Sequence, residues 1–279
     1  HCTSSAASDV YKRQAKNSDA VILIVGTNSD WETEGNDRTD LSLPANQDTL
    51  IESILKANQN TVIVLNSGSP VSMPWIDKSK AIIQSWFGGQ EYGNSLADII
   101  FGKVNPSGKL PTTFPKKIED TPAFGCYPGK NSQMDYEEKL LVGHRWYEKK
   151  DIKPLFPFGF GLSYTDFSFS NLEIIKNDNY NIECKFEIKN AGMMDGSEVA
   201  QCYVSFSNLT KDEPLKTLQS FKKVFIKKGN TMELKLALNK RSFSYWDIQE
   251  KNWIVRPGTY TISIGSSSEQ IRLKKDILL

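Results

Sequence analysis

Val21-Ile22-Leu23-Ile24-Val25-Gly26 is an unbroken apolar run closed by glycine, and Asp30-Trp31-Glu32-Thr33-Glu34-Gly35-Asn36-Asp37-Arg38 follows it directly. An apolar run with no polar alternation reads as a strand buried on both faces, the kind found in parallel sheets. A polar loop leaving the C-terminal end of such a strand and leading into a helix lies in the crevice where open α/β sheets place ligands. Four carboxylates crowd this loop: Asp30, Glu32, Glu34 and Asp37. Gly35 lets the backbone turn with no side chain in the way, so Glu34 can stand at a loop tip as a general acid. Acidic loops are also commonly just solvated, and spacing alone does not separate the two readings.

Outward from this loop, Leu43, Gln47, Leu50, Ile51, Ile54 and Leu55 recur at helical spacing, and Thr61-Val62-Ile63-Val64-Leu65-Asn66 reads as a second strand. Ala81-Ile82-Ile83-Gln84-Ser85-Trp86-Phe87 gives a third, and Leu96, Ala97, Ile99 and Ile100 mark one side of a helix over 91–101. Alternating strands and helices predict a mostly parallel sheet covered on both faces. Gly88-Gly89-Gln90-Glu91-Tyr92-Gly93 lacks the Lys-Ser/Thr of a phosphate loop and the spacing of a dinucleotide fingerprint, which argues against a nucleotide.

Residues 116–164 show little periodicity but many Pro, Gly and aromatic residues, so they read as a connector that wraps and packs. His144 in that aromatic setting reads as a packing residue before a titrating one. After Tyr164 the period becomes two. Phe167–Leu172, Ile182–Ile188, Val199–Val204, 221–226, 232–238 and Tyr260–Ile264 alternate between Asn-Ala-Gly, Lys-Gly-Asn and Pro-Gly turns, the pattern of a β-sandwich.

With 279 residues, 39% hydrophobic and 24% charged, the chain has room for two cores. A net charge of +1 without long charge runs gives no reason to expect nucleic acid or an anionic membrane, and no apolar run approaches the ~20 residues that span a bilayer. Four cysteines (Cys2, Cys126, Cys184, Cys202) form no C-x-x-C pair, and with two histidines no metal cage of familiar spacing can be drawn. Cys184 and Cys202 have inward parity on two strands; they read first as small buried hydrophobes, and geometry decides whether they pair. Residues 1–14 have neither a signal-peptide core nor a helical stripe and look like a translated sequencing adaptor. They are set aside as a non-native leader, and the chain is expected to begin inside a longer gene. Asn208-Leu209-Thr210 is a glycosylation sequon only in form.

The acidic loop, running on into Leu41-Ser42-Leu43-Pro44, resembles the acid/base loop of glycoside hydrolase family 3 β-glucosidases, which reads E-G-x-D-R and then L-x-L-P. The run from Trp86 to Gly102, then Asn105-Pro106-Ser107-Gly108-Lys109-Leu110-Pro111, resembles the most recognisable block of that family. Tyr136–Tyr147 and Pro154-Leu155-Phe156-Pro157-Phe158-Gly159-Phe160-Gly161-Leu162-Ser163-Tyr164 resemble two further signatures, with Lys139 where Gly is usual and His144 where Tyr is usual. Gly196-Ser197-Glu198-Val199 and Arg256-Pro257-Gly258-Thr259-Tyr260 resemble the fibronectin type III-like domain that closes many of these enzymes. The implied fold is a three-layer α/β sandwich with a mostly parallel sheet over 15–115, a wrapping connector over 116–164, and a fibronectin-like β-sandwich over 165–279.

The resemblance implies that Glu34 protonates the glycosidic oxygen and later activates water, with Glu32 as the alternative because this loop varies in length. Trp31 is either an aromatic platform on the aglycone side or a loop anchor. Asp37 and Arg38 read as an ion pair that fixes the loop. In the family the nucleophile is an Asp on an N-terminal (β/α)8 barrel, and no barrel repeat occurs here. The expected parent is a retaining β-glucosidase acting on a β-glucoside or oligosaccharide, with the barrel supplied in cis, no cofactor and no metal. A family 3 β-xylosidase or exo-glucanase parent and a non-catalytic carbohydrate-contacting or scaffolding module are the alternatives. The resemblance also implies a periplasmic or secreted bacterial protein and leaves a homodimer open.

Overall fold

The computed structural model describes residues 5–279 apart from 36, 130 and 132, so His1, Cys2 and Asn36 lie outside the described residues. It divides into two compact units, residues 1–97 with 114–121, and residues 98–113 with 122–279.

In the first unit, β1 (Val21–Gly26), β2 (Thr61–Asn66) and β3 (Ala81–Gln84) form a parallel sheet in sequence order, Ile22 opposite Val62 and Val62 opposite Ala81. Helix α2 (Gln47–Ala57) connects β1 to β2 and buries Ile51, Ile54 and Leu55, while β2 buries Ile63, Val64 and Leu65. Trp75 is fully buried and donates its indole N–H to Asp48 Oδ1 at 2.8 Å. The third strand stops earlier than its apolar run: Trp86 takes φ 56°, a left-handed conformation that a strand cannot continue through. Ile22 and Ile24 are 47% and 53% exposed, so among the described residues one face of β1 is left open where the sequence predicts cover on both.

Part of the segment set aside as a leader is ordered, because α1 spans Ser5–Lys16 and packs against α2. Its end is fixed by Asn58, whose amide donates to the Ala15 and Ser18 carbonyls at 2.9 and 2.7 Å. A polar clamp on helix-end carbonyls leaves no apolar stripe in the sequence, which is why periodicity misses it. Helix α3 spans Tyr92–Ile100.

The second unit holds two antiparallel sheets. One runs β4 (Phe167–Lys176), β5 (Ile182–Asn190), β8 (Thr231–Leu238); the other runs β12 (Ile271–Leu278), β11 (Thr259–Gly265), β6 (Gly196–Phe206), β7 (Thr217–Ile226). Their inner faces share one core containing Phe186, Ile188, Leu234, Leu236, Ile262 and Ile264. This is the sandwich expected from the period of two. A separate hairpin, β9 (Ser244–Asp247) and β10 (Asn252–Val255), was not visible as alternation. Cys184 on β5 and Cys202 on β6 are completely buried, unlinked thiols, and the neighbouring Cys184 pushes the Cys202 thiol well up.

Buried polar side chains tie the loops of this unit to its strands. Asn105 donates to the Asp195 carbonyl and accepts from Ser163 Oγ and the Tyr164 amide, all within 3.0 Å. Gln201 on β6 donates to the Gly159 and Ser266 carbonyls and accepts the Tyr203 hydroxyl at 2.6 Å. Helix α4 (His144–Lys149) places His144 in a stack on Phe158, ring centroids 5.0 Å apart, and edge-on to Tyr203 at 6.0 Å. Among the described residues no helix is long and apolar enough to cross a membrane.

Burial, helped by Arg145 and Lys216, lowers the His144 pKa from 6.5 to about 4. The unfolded chain takes up this proton from about pH 6.5 downward and the folded chain only near 4. The stability this residue contributes is therefore complete above pH 6.5 and is lost as the pH falls toward 4, on the order of 3 kcal/mol across the window. His144→Phe should show a smaller fall in Tm between those pH values than the parent. With only two histidines in the chain, an imidazole resonance titrating near 4 checks the assignment directly.

Candidate active site

Two loops leave the C-terminal ends of adjacent parallel strands, one from β1 over 27–43 and one from β2 over 67–75, and a single carboxylate joins them. Glu32 Oε2 accepts from Thr27 Oγ1 at 3.0 Å and from the Gly68 amide at 2.8 Å. Its Oε1 accepts from Ser69 Oγ and from Arg38 Nη1, the latter at 3.4 Å. A side chain at position 68 would collide with this arrangement, since a Cβ there would lie 2.9 Å from Glu32 Oε2 and 2.8 Å from the Phe87 ring. Any larger residue here would have to push the Glu32 carboxylate and the Phe87 ring aside. Burial would raise the Glu32 pKa, but hydrogen bonds from Ser69, Gly68 and Thr27, with Arg38 beside them, outweigh it and hold the carboxyl below its usual range.

Arg38 extends the same staple. Its guanidinium also donates to Ser69 Oγ at 2.7 Å, to the Pro70 carbonyl at 3.3 Å and to the Ser42 carbonyl at 3.5 Å. The ion pair expected between Asp37 and Arg38 is not the one formed: among the described residues the guanidinium pairs with Glu32, six positions back. Neighbours in sequence on an irregular loop point apart, whereas residue 32 turns back toward the strand ends. Asp37 is exposed at the rim. The strand end itself is gripped from α2, where the Gln47 amide donates to the Gly26 carbonyl and accepts from its N–H, both at 2.8 Å.

Glu34 is exposed beside Gly35, whose φ of 83° is a backbone conformation that favours glycine. The backbone amides of Trp31 and Glu32 both donate to the Asn28 carbonyl, so the chain turns tightly before it reaches this tip. Residues 31–34, Asp37, Arg38, Gly68 and Ser69 line an open depression of about 490 Å³. All five residues singled out from the sequence, Trp31, Glu32, Glu34, Asp37 and Arg38, therefore meet at one place. Sequence reasoning missed Thr27, Gly68 and Ser69. A signal for two of them existed, since Ser67-Gly68-Ser69-Pro70 leaves the end of β2 as the acidic loop leaves the end of β1, and the crevice rule applies to both. No group of three or more His, Cys, Asp or Glu among the described residues is placed to hold a metal ion.

Residues 3–164 match the model of the glycosyl hydrolase family 3 C-terminal domain, and 198–268 that of the fibronectin type III-like domain. The chain belongs to glycoside hydrolase family 3. It is 44% identical over 269 residues to thermostable beta-glucosidase B of Acetivibrio thermocellus, covering 95% of this chain and 36% of that one. Among solved structures it resembles a Bifidobacterium adolescentis GH3 beta-glucosidase, with TM-score 0.96, 37% identity, and 99% and 41% of the two chains covered. It also resembles the Kluyveromyces marxianus beta-glucosidase in complex with glucose, with TM-score 0.93, 37% identity, and coverage of 98% and 33%. The chain thus spans about a third of the length of the curated relatives it matches.

The staple has a measurable pH signature. Because the Glu32 pKa is depressed, its contribution to stability is present above the ordinary value of 4.5 and is lost as the pH falls through the folded value. Glu32→Gln should lower stability at pH 7 by about 1–3 kcal/mol, the cost of losing charge-assisted acceptors in a half-buried site. The melting curves of parent and variant should converge as the pH drops below 4.5.

Proposed function

We propose that this chain is the C-terminal part of a retaining β-glucosidase and that Glu34 is its general acid/base. The observation that carries the choice of residue is the division of labour between the two glutamates. Both Glu32 oxygens accept hydrogen bonds and its proton affinity is lowered, so it is a poor proton donor and a good staple. Glu34 stands exposed at the loop tip, two residues on, in front of the glycine of the E-G-x-D-R match. In the first step the protonated Glu34 gives its proton to the glycosidic oxygen as the aglycone leaves and a nucleophilic carboxylate bonds to the anomeric carbon. In the second, the Glu34 carboxylate takes a proton from water, whose oxygen displaces the enzyme carboxylate and frees glucose. Trp31, half-exposed on the wall of the depression, is assigned to the aglycone side, where its ring offers a stacking surface.

A retaining reaction needs two carboxyls ~5–5.5 Å apart, and the partner of Glu34 is assigned to a barrel domain of the parent. Glu32 is committed to the staple, so it does not serve as the nucleophile. The purified 279-residue chain should accordingly show no turnover of an aryl β-glucoside above a Glu34→Gln control. Turnover above that control would require a nucleophile within the acidic loop.

In a family 3 enzyme carrying this segment joined to its barrel, Glu34→Ala should slow disaccharide hydrolysis by ~10²–10⁴. It should slow an activated aryl glucoside far less, since a good leaving group needs little protonation, and added azide should partly restore that activity by attacking the glycosyl-enzyme. Glu32→Ala should show neither leaving-group dependence nor azide rescue. The reverse pattern in the two variants would move the acid/base role to Glu32.

A further inference from the structure

The hairpin β9–β10 carries Trp246 and Trp253 directly opposite each other, so both indoles project from one face. Their centroids are 5.3 Å apart and the rings meet at 62°, which forms an open corner rather than a stack. Trp246 is 49% exposed, Trp253 37%, and Ile248 at the turn 81%. Leaving this much indole in water is unfavourable, and the sandwich core gains nothing from it.

The other side of the hairpin is anchored. Arg256 lies 4.1 Å from the Tyr245 ring centroid and is ion-paired with Glu213, and the Tyr245 hydroxyl donates to Asp247 Oδ2 at 3.0 Å. The Tyr260 hydroxyl lies 3.2 and 2.9 Å from the Phe243 and Arg256 carbonyls on either side of the hairpin. Arg241 covers the Trp253 ring. An isolated two-stranded hairpin is marginal in water, so these anchors are what hold the corner in one shape. A rigid aromatic corner binds with little ordering cost.

We propose that the Trp246–Trp253 corner is a carbohydrate-binding site for a β-linked glucan chain. Trp246 is the stacking platform and Trp253 is the wall. A β-glucosyl ring has its hydroxyls around the equator and C–H bonds on both faces, and those weakly positive hydrogens meet the negative face of an indole. Exposed Gln249, Glu250 and Asn252 at the hairpin tip supply hydrogen-bonding groups beside the corner. Patch size separates this occupant from a protein partner: a standard interface buries about 800 Å² on each side, whereas this corner offers two rings and one isoleucine. The choice of glucan over other pyranose polymers rests on the β-glucosidase reading above.

The test is affinity electrophoresis of the 279-residue chain through gels containing soluble mixed-linkage β-glucan, with xylan gels and glucan-free gels alongside. The parent should be retarded by glucan, and Trp246→Ala should weaken binding about tenfold or more. Trp246→Phe, which keeps a ring, should retain most of the retardation; unchanged circular dichroism and Tm confirm that both variants fold. Phe221→Ala, which removes an exposed ring from β7, should bind as the parent does, and Trp31→Ala is run alongside. Absence of retardation, or retardation unchanged by Trp246→Ala, would overturn the proposal. Loss in Trp31→Ala alone would place the sugar at the acidic loop and overturn this site while leaving the acid/base assignment standing. Retardation by xylan but not glucan would overturn the glucan assignment, and self-association abolished by Trp246→Ala would replace the sugar with a second copy of the chain.

Discussion

The first unit depends on one carboxylate. Glu32 takes a hydroxyl from the β1 loop, an amide and a hydroxyl from the β2 loop, and a guanidinium from its own loop, so both crossover loops are tied at the strand ends. Without it Arg38 would be left half-buried beside Ser69 and the Pro70 carbonyl, with its direct ion pair gone and Asp40 as the remaining nearby acid. Burial draws the Arg38 guanidinium pKa down, and Glu32 and Asp40 oppose that shift. Residue 32 is thereby held at the strand ends two positions before the exposed Glu34.

The second unit uses the same strategy with uncharged groups. Asn105, Asn190 and Gln201 have their side-chain amides bonded to loop carbonyls, those of Asp195, Met194, and Gly159 with Ser266, and these contacts hold connectors where no regular ladder exists. Asn190 is fully buried and donates to the Met194 and Ile226 carbonyls while accepting the Thr165 hydroxyl. Aromatic residues of the connector then fill the space between these fixed points, with His144 kept neutral in its stack on Phe158. The hairpin departs from this pattern, since its anchoring face is satisfied and its tryptophan face is open to water.

The parallel sheet with α2 and most strands of the antiparallel sandwich were written in the sequence, because each follows from a period of burial: continuous for β2, two for β5 and β8, near 3.6 for α2. Gathering Trp31, Glu32, Glu34, Asp37 and Arg38 at one crevice was also legible, since they are consecutive on one loop and the chain topology fixes where such a loop emerges. Three things were settled only in three dimensions: which glutamate is the staple, that Arg38 pairs with Glu32 and not with Asp37, and that Thr27, Gly68 and Ser69 complete the site. A hydrogen-bonded cage joins groups as many as 37 positions apart, and no local pattern encodes it. The same reason hid α1, held by Asn58 from 40 or more residues away, and the exposed tryptophan corner, whose two rings meet only when β9 and β10 pair. Sequence periodicity reports which side of an element faces a core; which distant side chain completes a charge or a ring pair is decided by tertiary contact.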